Sequence, residues 1–496
     1  MQQKKFDLEE LKKILFWINT GTMNIFGLSK YLKNELDSEF YAIYDTPEKP
    51  KKFFQTQKLV DFKKIWFYND NVEIDEKVDL DYLKEFEDKY KINLWQLAST
   101  ERIFLYNEFY KFSDQEINSI LEKECKFFEN VIDEINPNYI IMVKPYFHHE
   151  MIFFQICKAK GIKVLELDLT RFPLRCSISF SDNKEKYQQF QIQNQPRSFD
   201  ELREYRKNNS SISQDTDYQS TSKNFLDAGL KYILSDNSTL NKNYKYFGRN
   251  KIKVLLNYIY DGFRVRNRKK FLDKYFLKEF SKNKKCILFT LSVEAESAIL
   301  FDAPFYINQV EVVKNIAKAL PAEFTLLVKE HPASGVRSWR STKIYQELID
   351  IPNVVPIHYS ANMEELIKKS SLVMSICSSS SLDALFLRKP TIIFGNTDFS
   401  MISDVKKIGE IEKLPEIIKN ELKREVNPYN LEKYIQFVEE NSFEYNMVLH
   451  GQSMQKYLYH GSLLTDVEIT EDKMNLFLEE TKTEFEKLKN AYLKLL

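Results

Sequence analysis

The chain has 496 residues, 43% of them hydrophobic and 29% charged. That is too long for one ordinary compact domain, at roughly 100–200 residues each, and apolar enough to fill real cores. Lys+Arg and Asp+Glu both number 72, and the resulting net charge of zero argues against nucleic acid as a whole-chain partner.

Five scattered cysteines with no C-x-x-C pair do not make a disulfide framework, and a reducing cytoplasm is expected. The first ten residues lack the apolar core of a signal peptide. No apolar run approaches the roughly 18 residues that span a bilayer, and peripheral contact at the inner membrane face stays open.

In chain order, Lys13–Thr20, Glu39–Tyr44 and Lys64–Tyr68 are short apolar runs that read as buried strands. Gln115–Ile135 has helical periodicity. Asn138–Val143 reads as a strand, His148–Lys160 as a helix stopped by Gly161, and Ile162–Leu169 as the next strand. This β-α-β unit predicts parallel strands. From Phe180 to Asn250 the character changes, and residues 208–217 form a polar Ser/Asn-rich stretch read as an exposed insertion. Asp261–Lys285 is basic and aromatic. It reads as a solvated linking helix, with a membrane- or polymer-facing basic surface as the sharper alternative.

A second alternating block follows. Strands are expected at Cys286–Leu291, Phe324–Val328, Val354–His358, Leu372–Ile376 and Thr391–Phe394. Helices are expected at Gln309–Leu320, Trp339–Ile349, Met363–Lys369 and Ser381–Leu387. Leu414 onward is helical, and Glu471–Leu496 reads as one long amphipathic helix lying across both domains, with coiled-coil pairing as the alternative. The expected division is 1–180 and 281–415 as two α/β domains, 181–280 as insertion and linker, and 416–496 as C-terminal helices.

Chemistry concentrates at two strand ends. Lys329-Glu330-His331-Pro332 ends one strand, and proline keeps His331 out of the helical region, so the imidazole stays at the strand's carboxyl end. Arg337 follows in a loop and has the fork geometry for phosphate. Ser378, Ser379, Ser380 and Ser381 follow another buried strand and open a helix. Hydroxyls, backbone N–H groups and the helix dipole there favour an anion, although N-capping explains a single serine. Asp383 lies in the first turn, where it can hold a ribose hydroxyl or complement the dipole.

In the first half, His148-His149-Glu150 sits at a strand-to-helix turn. Phe153 stands where H-E-x-x-H needs its second histidine, so a metal site is not expected. Glu150 or His149 is the candidate general base for an acceptor hydroxyl, and Glu294 and Glu296 are second candidates. The chain has no G-x-G-x-x-G, no P-loop and no G-x-S-x-G, which removes the best support for dehydrogenase, P-loop NTPase and α/β-hydrolase readings.

Several of these elements together resemble the bacterial capsule polysaccharide biosynthesis family, which includes Kdo-type transferases. They are Glu296-Ser297, Asn308-Gln309, Lys329-Glu330-His331-Pro332, Gly335-x-Arg337, Tyr345, Pro352-Asn353-Val354, the serine run with Asp383-Ala384, Lys389-Pro390 and Phe394-Gly395. Softer matches are Leu94-Trp95-Gln96-Leu97-Ala98 with Arg102, Gly161-Ile162-Lys163 and Thr170-Arg171. Asp383 stands where the family more often has Glu.

The resemblance implies an α/β GT-B fold: two Rossmann-like, doubly wound domains facing across a cleft, here with a helical C-terminal segment. It implies an inverting, metal-independent glycosyltransferase without a bound cofactor. A nucleotide sugar, CMP-linked among the options, would be the donor, and a surface polysaccharide or glycolipid the acceptor. Lys329, His331, Arg337, Ser378–Ser381, Asp383 and Glu296 would hold the donor. The alternatives are a polyol-phosphate transferase of teichoic-acid type and a non-catalytic nucleotide-sugar-binding scaffold in a polysaccharide assembly complex.

Overall fold

The computed structural model describes residues 11–172, 174–179, 183–193, 195–209, 243–280, 284–335, 340–459 and 466–496. The serine-rich stretch from 210 onward and Arg337 lie outside the described residues. Six strands come first: β1 (Lys12–Asn19), β2 (Ser38–Asp45), β3 (Lys64–Phe67), β4 (Tyr139–Val143), β5 (Lys163–Leu169) and β6 (Arg175–Ile178). Six more follow: β7 (Lys285–Thr290), β8 (Phe324–Lys329), β9 (Val354–Ile357), β10 (Leu372–Ser375), β11 (Thr391–Ile393) and β12 (Val405–Lys407). The two-residue β13 (Phe443–Glu444) comes last.

These strands form two sheets. The first has the order β13-β6-β5-β4-β1-β2-β3, and the second β12-β11-β10-β7-β8-β9. β1 to β5 are mutually parallel, and β6 and β13 extend that sheet antiparallel. The second sheet is parallel throughout. Each sheet therefore winds outward in both directions from its first strand, as the strand-helix alternation predicts. The chain has the GT-B arrangement, two Rossmann-like units with added helices.

The strand residues alternate between two cores, as a period of two requires. Ile14, Phe16 and Ile18 join one cluster with Phe40 and Tyr44. Leu15 and Trp17 face the other with Ile43, Ile140 and Met142. Both faces of each parallel sheet are covered, which explains why its strands read as continuous apolar runs.

The C-terminal region departs from expectation. Instead of one helix across both domains there are two, Glu471–Glu480 and Lys482–Leu493. Thr481 separates them and folds its hydroxyl back onto the Phe477 carbonyl at 2.5 Å. Both helices pack on the first sheet, where Phe477, Phe485, Leu488 and Tyr492 complete its core. The helix Thr342–Ile349 also starts later than predicted, because Ser341 caps it by accepting from the Ile344 N–H at 3.4 Å.

Among the described glycines the tightest is Gly27, where an added Cβ would lie 2.1 Å from the Phe485 ring. Gly27→Ala should destabilise the fold by about 1–3 kcal/mol through overpacking, measured by chemical denaturation. An unchanged midpoint would mean that the C-terminal helix shifts freely.

The described residues 183–193 and 195–209 are less detached than their composition suggests. The helices Lys184–Gln189 and Phe199–Asn208 contribute Tyr187 and Leu202 to a core with Leu382, Leu385, Phe386, Tyr434 and Phe437. Arg206 pairs with Asp383 at 2.8 Å.

Candidate active site

In an open α/β sheet the ligand crevice opens where neighbouring strands wind in opposite directions, beyond their carboxyl ends. In the second sheet that point lies between β7 and β10, and the serine run sits on it. Ser378 caps the helix Ser379–Phe386 by accepting from the Ser380 N–H at 3.3 Å. Ser380 turns inward to Thr290 at the end of β7, Oγ to Oγ1 2.7 Å. Ser381 turns inward to Ser375 at the end of β10, also 2.7 Å. Ser378 is half-buried, with its Oγ also taking the Ser380 hydroxyl at 3.0 Å, Ser379 is exposed, and the inner two serines fix the turn. Asp383 is engaged by Arg206.

His331 follows β8 on the other side of β7. Its Nδ1 accepts the Ala333 backbone N–H at 3.2 Å. A backbone N–H can only donate, so the neutral ring carries its proton on Nε2. Burial lowers the imidazole pKa, with Glu330 opposing and Lys329 and Arg340 assisting. The ring is thus a neutral donor at the strand end.

Lys329 is buried and donates to the carbonyls of Tyr359 (3.0 Å) and Glu330 (3.3 Å). Burial brings its pKa down to about 8, against the pull of Glu330. Beneath this loop Arg340 is clamped by Glu330 (2.7 Å), Glu294 (3.0 Å) and the Ser292 carbonyl (2.6 Å). Glu330 also takes the His331 N–H at 2.6 Å, so this cluster fixes the loop. Sequence reasoning flagged Glu330 and Glu294 and missed Arg340, which carries no local signal. Glu296 is exposed at the start of the helix Ser297–Leu300.

In the first sheet the corresponding point lies between β1 and β4. There Glu150 Oε1 accepts from Trp17 Nε1 and Asn19 Nδ2, both at 3.0 Å, and Oε2 from the Tyr146 N–H at 2.8 Å. These three donors hold the carboxylate, 2% exposed, beside the ends of β1 and β4. His149 lies deeper, stacked on Tyr68 with ring centroids 4.6 Å apart, and its Nε2 is 3.2 Å from Asp45. Asp45 is also held by Lys245 at 2.7 and 2.8 Å. Burial alone would raise the Asp45 pKa, but Lys245 and His149 outweigh it and lower it.

His148, read from the sequence only as part of the turn, is fully buried between Glu101 (2.9 Å) and Glu124 (3.1 Å). Tyr68 and Tyr244, whose hydroxyls are 2.8 Å apart, both donate to Glu124. Burial disfavours the imidazolium, yet the two carboxylates prevail and raise the pKa to about 10. One sign of this network was legible: Glu124 falls on the apolar face of the helix Asp114–Ile135, beside Leu121, Cys125 and Phe128.

Two groups, Glu124–His148–His149 and Asp45–His149–Glu150, have ligand atoms within 4.8 Å of one another, close enough for a metal ion. In both, a cation already balances the acids, protonated His148 in one and Lys245 in the other.

The carboxyl edges of the two sheets face each other. Tyr106 donates to the Glu294 carbonyl at 3.4 Å, and Arg171 pairs with Asp398 at 2.9 Å. Lys144, after β4, lies 3.2 Å from Asp168 and 3.8 Å from Asp302 in the second unit. Glu150 lies at the carboxyl edge of the first sheet, and His331 and Ser378 at that of the second.

Residues 190–406 match the model of a family described as capsule polysaccharide biosynthesis protein, the family that the motifs resemble. No curated protein matches the sequence. Among solved structures, the chain is similar to a UDP-GlcNAc 2-epimerase from Methanocaldococcus jannaschii at 14% identity. That match covers 87% of this chain and 99% of the epimerase, with a TM-score of 0.25. It is also similar to the β Kdo 2,7 transferase of Thermosulfurimonas dismutans KpsC (14% identity, 69% and 87% covered, TM-score 0.28). The β Kdo 2,4 transferase of the same protein matches at 11% identity (60% and 79% covered, TM-score 0.29). Superposition is low throughout, and the fold assignment rests on the two sheets themselves.

Proposed function

We propose that the protein is a glycosyltransferase of capsule-type polysaccharide synthesis, moving a sugar from a nucleotide-sugar donor to a hydroxyl of a glycan or glycolipid acceptor. One observation carries the reading: the serine-capped helix start lies at the switch point of the second sheet, with the neutral, Nε2-protonated His331 one strand away. Helix-start N–H groups and hydroxyls favour the donor phosphates. The His331 N–H stabilises negative charge as the nucleotide leaves. Ser379 supplies an exposed hydroxyl, Ser378 caps the helix start, and the Arg340 cluster holds the loop that carries His331.

On the opposite wall Glu150 takes the acceptor proton. The acceptor oxygen then attacks the anomeric carbon, the bond from that carbon to the phosphate oxygen breaks, and the nucleotide departs with that electron pair. Attack opposite the departing phosphate gives inversion. The family match over residues 190–406 supports the assignment, and the reaction as written draws on no metal or other cofactor.

The test is thermal stabilisation by CMP, UDP and GDP and their sugars. The cognate nucleotide at a hundredfold excess over its dissociation constant should add about 2.7 kcal/mol, and His331→Ala should weaken that effect. Stabilisation by none of them would sink the reading. Binding without turnover across acceptors would mark a scaffold, and phosphorus retained in the product a phosphosugar or polyol-phosphate transferase.

A further inference from the structure

The helix Lys251–Tyr275 is 25 residues long, yet only Arg268 and Leu272 are buried on it. Its inward face ties it to both units. Asn257 and Arg264 each bind Glu108 of the first unit at 2.7 Å. Arg268 binds the Ser334 carbonyl of the second, three residues beyond His331.

The outward face is ordered along its length. Ile252, Leu256, Ile259 and Phe263 recur at spacings of four, three and four, on one side of a helix. They are 72, 61, 56 and 62% exposed. Continued along the same side of the helix, the face carries Arg266, Lys270, Asp273 and Lys274, all exposed, with a net charge of +2. One face is thus apolar in its first half and cationic in its second. The helix carries eight basic residues against two acidic, a net charge of +6 in a chain whose total is zero.

We propose that this face docks on an anionic lipid bilayer. Its apolar half would enter the boundary between headgroups and acyl chains. Its cationic half would lie on the lipid phosphates. No helix among the described residues is long and apolar enough to cross a membrane, so the contact is one of lying on the surface. Charge disfavours a second copy of the chain as the occupant. Parallel pairing along the whole face sets cations against cations, and antiparallel pairing sets cations against the apolar half. Because Arg268 reaches the loop after His331, docking places the donor wall of the cleft beside the lipid surface, where a lipid-linked acceptor is presented.

The test is flotation of the full-length chain with phosphatidylcholine vesicles, with and without phosphatidylglycerol. The protein should float only with the anionic vesicles and be released by about 0.5 M salt, which shortens electrostatic reach. The I252S/L256S/I259S/F263S variant and, separately, R266E/K270E/K274E should each lower the bound fraction about tenfold or more. Unchanged thermal midpoints would show that both variants fold.

Three results would overturn the inference: no flotation of the parent, variants that float as well as the parent, or a concentration-dependent dimer that the serine variant dissolves. Flotation does not measure transfer, and turnover of a soluble acceptor does not need the bilayer, so this proposal and the transferase reading fail separately.

Discussion

Replacing His148 with glutamine should cost about 3–5 kcal/mol of stability, because it leaves the Glu101 and Glu124 carboxylates buried without the cation between them. Tyr68 and Tyr244 still donate to Glu124, and the His148 backbone N–H still serves Glu101. Each carboxylate thus keeps a hydrogen bond but loses its counter-charge. His149 stacks on Tyr68 with its ring 5.3 Å from that of His148, and its partner Asp45 keeps Lys245.

The pH dependence of this pair has a definite sign. The His148 pKa is raised from 6.5 to about 10 on folding. Its contribution is therefore complete below 6.5 and is lost as pH rises through 10. Glu101 runs the other way. Burial alone would raise its pKa, but His148 and two backbone N–H groups bring it from 4.5 down to about 2. Its contribution is complete above 4.5 and is lost as pH falls through 2. The pair should stabilise most between these limits, at pH 4.5 to 6.5. Denaturation of parent and variant at pH 6 and pH 10 isolates it: their difference should shrink at the higher pH. Equal stability at pH 6 would mean that the buried pair contributes nothing.

The second large effect is catalytic. His331→Ala should lower kcat by about 10²–10³-fold, the usual loss for one donor to developing negative charge. Glu150→Gln should lower it by about 10²–10⁴-fold, as expected for a general base. The two differ in what survives. His331→Ala should also weaken nucleotide binding, whereas Glu150→Gln should leave it intact. The glutamine amide would face the Tyr146 N–H, donor against donor, and a stability loss of about 1–3 kcal/mol should accompany its kinetic effect. Turnover within a few-fold of the parent in the His331 variant would remove the donor-site assignment. The same result for Glu150 would pass the base role to another group, His149 first.

The central strands were legible because both sheet faces are covered. LVMSI and NYIIMV could only be buried, and the turns that bound them carry Gly, Pro or Ser. β6 and β13 were not legible. RCSI and FE lack an apolar run and exist because they pair with one another beside β5. The break at Thr481 was equally hidden, with no glycine or proline to mark it.

Of the candidate site, position was legible and connectivity was not. His331 and Ser378 announce themselves as strand ends. The partners of His148 stand 47 and 24 residues before it, and the Asp383 partner Arg206 stands 177 residues before Asp383. Spacing along the chain cannot show such pairs. The polar composition of residues 183–209 hid Tyr187 and Leu202, two residues that pack against the second sheet's helices.

The packing of Phe485, Leu488 and Tyr492 against Gly27 and the first sheet has a consequence for synthesis. Domains generally complete as they emerge from the ribosome, the earlier one first. Here the order is inverted. The second sheet has its last strand by residue 407, while the first lacks part of its core until residue 492 has been added. The half that emerges first waits longest, with its apolar face open, while the half that emerges second closes. A nascent chain halted near residue 445 should carry a protease-resistant second unit beside a protease-sensitive first unit.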